Sequence, residues 1–256
     1  MSDEIVRLEV KDHVALVTLN KPPVNALDRA MRNAIIEVFD AVSERDDIRV
    51  AVLTGAGKTF CAGADLKDRP DVTKTGAFSG HNRVTRETGN AIRECAKPVI
   101  AAVNGAALGA GLGLMAACDI FLASENATFG MPEIDVGLAG GGAMLNTIFG
   151  RSTMRLMMFT GERLSAAELY RRGIIEACTA PDELVPAALK IAERIANKSP
   201  LAINYAKNSA NMVELMPQRD AYRFEQNFTV ALSRTEDAKE ARMAFIEKRK
   251  PVFKGR

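Results

Sequence analysis

Apolar and polar positions alternate between two periods along this chain. Val14 to Leu19 (VALVTL) is β-branched and apolar and predicts a strand; Asn20 to Val24 (NKPPV) ends it with two prolines. From Leu27 to Val42, apolar residues recur at helical spacing: Leu27, Met31, Ala34, Ile35, Val38, Phe39, Val42. That pattern predicts an amphipathic helix with one buried face. Val50 to Leu53, Val99 to Val103 and Asp119 to Ala123 read as further strands, the first closed by Gly55 and Gly57. Strands alternating with helices imply an α/β core. Residues 66 to 90 are polar with little periodicity, and predict an irregular excursion over a site. Beyond about residue 160 strand signals stop. Ser165 to Glu168 has the capping-box pattern, and Leu184, Ala188, Ile191, Ala192 and Ile195 share a helical face. Pro200 suits the first turn of a helix after Ser199. Thr235 caps an expected last helix, 236 to 249, before Pro251. The C-terminal third therefore reads as helical, and as an oligomerisation element.

Composition narrows the classes. The 256 residues suit one large domain or a core with an appendage, and 47% hydrophobic residues can fill a core. Basic and acidic residues nearly cancel, at 34 against 32, so nothing global points to nucleic acid. No run reaches the roughly 18 apolar residues of a membrane helix. The N-terminus, MSDEIVRLEVKDH, is charged and lacks the apolar region of a secretory signal, and a cytoplasmic location is expected. Cys61, Cys95, Cys118 and Cys178 form no tight spacing and read as reduced thiols. With only His13 and His81, and no H-E-x-x-H, a metal site has little to build on.

Three stretches carry candidate chemistry: Gly55 to Leu66 (GAGKTFCAGADL), Asn104 to Gly113 (NGAALGAGLG) running into Ala117-Cys-Asp-Ile120, and Thr128 to Gly137 (TFGMPEIDVG) followed by Gly140 to Gly142. In the second, a strand exits into a glycine-rich turn and an apolar helical run follows from Leu112. Such a turn leaves backbone N–H groups free, and small residues let a ligand oxygen approach them. The anion could be phosphate or the oxyanion of a polarised carbonyl. Nucleotide motifs fail on spacing: Val52 stands where a P-loop before Gly57-Lys58-Thr59 needs glycine, and Leu114 where a G-x-G-x-x-G from Gly109 needs it. No G-x-S-x-G elbow is present.

The segments LTGAGKTFCAGADLK, KPVIAAVNGAALGAGLGLMAACDI and ATFGMPEIDVGLAGGG, with LNKPPVNAL before them and FTGERLSAAELYRRGII after, resemble in order and spacing the crotonase (enoyl-CoA hydratase/isomerase) superfamily. The resemblance covers nearly the whole chain. It implies a spiral of ββα turns over residues 1–195 that binds an acyl-coenzyme A, and a helical trimerisation region over 196–256, with trimers often paired into hexamers. It implies an oxyanion hole from the amides of Ala64 and Ala110, beside Gly109. Val24, Ala26, Ala62, Asp65 and Leu66 would line the coenzyme A groove, and Phe245 and Lys248 would reach it from a neighbouring subunit. No cofactor or metal is implied; the thioester is the substrate. Hydratases of the family use two glutamates. Here Gly113 holds the first position and Glu133 the second. One carboxylate suits a 1,3-proton shift, with Glu133 as the single acid/base. Other chemistries of the same oxyanion hole are hydroxycinnamoyl-CoA-type hydration and cleavage, thioester hydrolysis and decarboxylation; a non-catalytic CoA- or RNA-binding role is the alternative outside enzymes. Asp135, His81 and Glu87 are named as residues that could stand in for the missing carboxylate.

Overall fold

A computed structural model describes residues 4–256. Of the charged N-terminal stretch, residues 1–3 lie outside it. The first strands are β1 (Val6–Lys11) and β2 (Val14–Leu19), paired antiparallel around a turn in which Asp12 and His13 take positive φ. Helix α1 (Arg29–Glu44) follows. Asp28 caps it, accepting from the Met31 N–H at 2.8 Å, which stabilises the helix by about 1 kcal/mol. Met31, Ile35, Phe39 and Val42 are fully buried along one face; each is worth about 1.5–3 kcal/mol of apolar burial.

A repeating unit then appears. β3 (Val50–Gly55) and β4 (Thr59–Cys61) lead to α2 (Ala77–Arg93). β5 (Val99–Val103) and β6 (Ala106–Leu108) lead to α3 (Ala110–Ala116). β7 (Ile120–Ser124) and β8 (Thr128–Gly130) lead to a 3-10 helix, Pro132–Val136. In each unit the first strand joins a large sheet and the second a small one, which makes the chain a spiral of ββα turns. The large sheet takes the order β1-β2-β3-β5-β7 with β10 (Ala177–Thr179) at its far edge, parallel apart from β1. The small sheet takes the order β4-β6-β8 in parallel, with β9 (Arg163–Ser165) antiparallel at its edge. Its middle strands are too short to show a period, so their sequences read as glycine-rich turns.

The remaining helices are α4 (Gly142–Leu145), α5 (Arg151–Thr160), α6 (Ala166–Arg171), α7 (Leu184–Ala196), α8 (Pro200–Val213), α9 (Gln218–Ser233) and α10 (Glu236–Ile246). Helix α7 covers the large sheet with Leu184, Ala188 and Ala192. The expected caps are present: Ser165 accepts from Glu168 N–H, Ser199 from Ala202 N–H and Thr235 from Ala238 N–H. The Lys207 ammonium joins α8 to the core by bonding the Asp119 carboxylate at 2.9 Å and the Lys97 carbonyl at 3.0 Å.

Three expectations require correction. The polar stretch 66–90 is not irregular throughout; α2 begins at Ala77, because Val84, Thr88 and Ile92 recur every fourth residue and bury a narrow face. Strands continue past residue 160 as β9 and β10, each only three residues and each an edge strand that pairing rather than pattern creates. The last helix stops at Ile246 rather than 249, where Lys248 enters the left-handed region at φ 55°.

Candidate active site

The small sheet brings the candidate residues together. Cys61 of β4 pairs with Ala107 of β6, and Ala107 pairs with Phe129 of β8. Parallel neighbours lie about 4.8 Å apart and point their carboxyl ends the same way. Ala64, Ala110 and Pro132 each stand three residues beyond that paired row, and Glu133 follows. The three glycine-rich segments therefore leave adjacent strand ends, where ligands of parallel sheets bind.

Local bonding sets the directions. Leu27 and Ala64 form a parallel bridge, in which the Leu27 N–H bonds Gly63 O at 2.8 Å and the Asp65 N–H bonds Leu27 O at 3.1 Å. Leu27 thus occupies the groups on either side of Ala64, and the Ala64 N–H faces the opposite way, toward β6. A Cβ on Gly63, which sits at φ 100°, would lie 2.7 Å from Leu108 O and 3.6 Å from Ala110 N. Only glycine permits that approach. Ala110 opens α3, and its N–H precedes the first helical bond, from Gly113 N–H to Gly109 O at 3.1 Å. The sequence placed the helix start at Leu112; it lies two residues earlier, which makes Ala110 the first helical residue.

Glu133 sits against Gly109. A Cβ on Gly109, at φ 52°, would overlap Glu133 Oε1, so glycine is required there both for conformation and for the carboxylate's place. Glu133 Oε2 is buried without a hydrogen-bond partner among the described residues. Burial raises the Glu133 pKa above the ordinary glutamate value, against a smaller opposing contribution from its own backbone N–H; no cation contributes. A buried carboxylate oxygen without a donor is costly in a purely structural role.

Ala64, Gly109, Ala110 and Glu133 border one cavity of 230 Å³. Its remaining walls are Leu27 and Arg32 of the α1 region, His81, Thr85, Thr88 and Gly89 of α2, Leu114 of α3, and Met131, Gly140, Gly141 and Met144. The volume is below the roughly 300 Å³ at which whole-ligand pockets begin, and fits one end of a long ligand. Larger depressions lie near Arg49 and α7 and near Lys207, but neither is lined by the three glycine-rich segments. The other expected contact residues lie outside the cavity lining. Val24 and Leu66 are exposed, and Ala26, Ala62 and Asp65 are half-buried. They share one outer strip, since the Ala62 N–H bonds Val24 O at 3.0 Å beside the Leu27–Ala64 bridge. Buried Asn25 holds that strip: its amide donates to Thr59 O at 2.7 Å, and its Oδ1 accepts from Lys21 N–H at 2.9 Å. Phe245, 86% exposed, and exposed Lys248 belong to the far C-terminal region and do not border the cavity within this chain.

A family model described as enoyl-CoA hydratase/isomerase matches residues 9–256. The chain belongs to the enoyl-CoA hydratase/isomerase family. Within that family it is 39% identical to (E)-benzylidenesuccinyl-CoA hydratase of Thauera aromatica, over 98% of this chain and 99% of that protein. It is 35% identical to 2,3-dehydroadipyl-CoA hydratase of Escherichia coli, over the full length of both. Its fold matches a crystal structure of enoyl-CoA hydratase from Bacillus anthracis with a TM-score of 0.92 at 32% identity, over 99% of this chain and 100% of that one. Crotonase-type folding and a hydratase/isomerase relationship thus agree with the spiral of ββα turns.

Gly113, the position at which the resemblance implies a first glutamate in hydratases, is buried, and the space above it is filled. A Cβ on Gly113 would overlap Met144 Cε, so a thioether stands where a longer side chain would project. Of the three residues named as substitutes, only His81 borders the cavity. Its pKa is lowered, first by burial and then by Arg32. Asp135 is exposed and turned toward Gly161, and Glu87 lies on the outer side of α2. Arg32 and Met144 were not singled out in the sequence. A charge on the buried side of α1, at 32 between Met31 and Ile35, was the available signal for the first.

Proposed function

We propose that the chain acts on an enoyl-CoA thioester, with Glu133 as its single carboxylate acid/base and the N–H groups of Ala64 and Ala110 holding the thioester oxygen. The observation that carries this reading is the Glu133 carboxylate: half-buried, with one oxygen unpartnered, in a cavity that Ala64 and Ala110 also border. Ionised Glu133 takes a proton from the α carbon of a 3-enoyl thioester. The electron pair moves into the carbonyl, and the dienolate oxygen rests on the two amides, which strengthen as charge develops. Protonated Glu133 then returns the proton at the γ carbon, giving the conjugated 2-enoyl thioester. The raised pKa makes ionised Glu133 a stronger base for the first half, and the same carboxyl then carries the proton to the second.

Glu133→Gln tests this directly. Turnover of 3-enoyl-CoA should fall by about 10²–10⁴-fold with affinity for coenzyme A thioesters retained; full activity in that variant overturns the assignment. The hydratase names of the relatives favour hydration as a second reading. Product analysis separates the two: conjugated thioester without hydroxyacyl product supports the proton shift, and hydroxyacyl product from a 2-enoyl thioester supports hydration.

The strip holding Val24, Ala26, Ala62, Asp65 and Leu66 continues outward from the cavity and suits the coenzyme A moiety. Apolar side chains exposed on the helical tail, among them Leu215, Tyr222, Val230, Phe245 and Ile246, suit burial against further copies of this chain in a trimer, with Phe245 and Lys248 near a neighbour's groove. Light scattering that returns a monomer overturns this part.

A further inference from the structure

We infer that the acyl pocket is built for a thioester whose acyl group carries a second negative charge, a carboxylate that the Arg32 guanidinium receives. The inference deepens the reading above and rests on the acyl group entering this cavity.

Arg32 projects from the buried face of α1, where helical spacing otherwise places Met31, Ile35 and Phe39, and it is only 3% exposed. One of its N–H groups is used internally: Nη1 donates to Leu27 O at 2.7 Å, which fixes the guanidinium beside the residue that bridges Ala64. No carboxylate lies within 4.0 Å of it among the described residues, and its side chain borders the cavity. Arginine carries five N–H donors in a planar fork that matches a carboxylate. A buried cation without a close counter-ion is costly, and an anionic ligand removes that cost.

The surroundings agree. Burial disfavours the charged Arg32 guanidinium, and Asp68, Cys61 and Asp28 offset only part of that. Of these, Asp28 is already held by Lys21 and the α1 cap, and His81 borders the cavity beside Arg32. The hydroxyls of Thr85 and Thr88 donate to their own helix carbonyls, at 2.9 and 2.7 Å, which leaves Arg32 and His81 as the side-chain donors on the helical side of the cavity. Leu114, Met131 and Met144 supply apolar lining to the same cavity.

The test is titration calorimetry on the full chain carrying Glu133→Gln, so that no thioester is consumed. Succinyl-, glutaryl- and adipyl-CoA are compared with butanoyl-, pentanoyl- and hexanoyl-CoA. At least one dicarboxylic thioester should bind about tenfold or more tightly than its neutral counterpart, as charge-assisted bidentate pairing implies. Arg32→Met should remove that preference and leave the neutral thioester's Kd within about twofold, while Arg32→Lys keeps part of it. Equal affinities across all three pairs, or a preference that survives Arg32→Met, overturn the inference. If Arg32→Met fails to fold by circular dichroism, Arg32→Lys decides, since a fork-specific contact must weaken there. Failure of every thioester to bind rejects the acyl-CoA reading itself; equal binding rejects only the carboxylate.

Discussion

The two sides of the cavity are made of different material. One side, from Gly63–Ala64 to Gly109–Ala110, offers backbone and almost no side chain; strand pairing and positive φ set its geometry. The other side, α1, α2 and the Met131–Met144 wall, offers side chains on helices and connecting segments: Arg32, His81, Met131 and Met144. Backbone donors cannot be exchanged by substitution without disturbing the sheet, whereas the helical side can change residue by residue. The first side therefore suits chemistry shared across a family, and the second suits selection of the acyl group.

The difference can be broken most severely at Gly109. Gly109→Ala should lower kcat by about 10²-fold or more, comparable to losing an oxyanion donor, because its methyl group displaces Glu133 and its φ disfavours any side chain. Steady-state rates beside an unchanged far-UV circular dichroism spectrum check it; near-normal kcat would place Glu133 elsewhere. On the opposite side, Gly113→Glu alone should add little hydration, because Met144 occupies the space. Combined with Met144→Ala, it should raise the ratio of hydrated to isomerised product by about tenfold, the scale of one positioned acid/base group acting suboptimally. Chromatography of the products reads that ratio, and an equal gain from the single variant would show that the thioether is no obstacle.

A subtler comparison uses pH. Because burial raises the Glu133 pKa in the folded chain, its contribution to stability is greatest below the unfolded glutamate value and is lost as pH rises through the folded value. Glu133→Gln should therefore be more stable than the parent chain near pH 8 and lose that advantage near pH 4, in denaturant titrations at both values. The proton-abstraction rate of the parent should rise over the same upward range, as the base form appears. The smallest effect is expected away from the cavity: Asp28→Ala should cost about 1 kcal/mol by loss of the α1 cap. It should also loosen the adjoining Lys21 contact and change turnover little; a large loss of activity would tie α1 to catalysis through more than Arg32.

Much of the scaffold was legible in the residues. Strands β2, β3, β5 and β7 and the face of α1 follow from runs of β-branched residues and from helical spacing, because each buries a regular apolar set. Ser165, Ser199 and Thr235 marked helix starts through chemistry that acts within one turn. Strands β4, β6 and β8 were hidden, since three residues carry no period and their pairing partners lie about twenty to fifty residues away in sequence. Helix α2 was hidden for a related reason: its polar faces outweigh a stripe of three buried residues.

The residues alone determined which segments could present free amides, because glycine tolerance is a local property, and it was the resemblance that pointed to Glu133. Only the tertiary structure decided that Ala64, Ala110 and Glu133 leave adjacent strand ends, that Met144 fills the space over Gly113, and that Arg32 faces the same cavity. Those facts depend on contacts between segments far apart in the chain, and a buried charge can be told from a solvated one only once the neighbours that exclude water are in place.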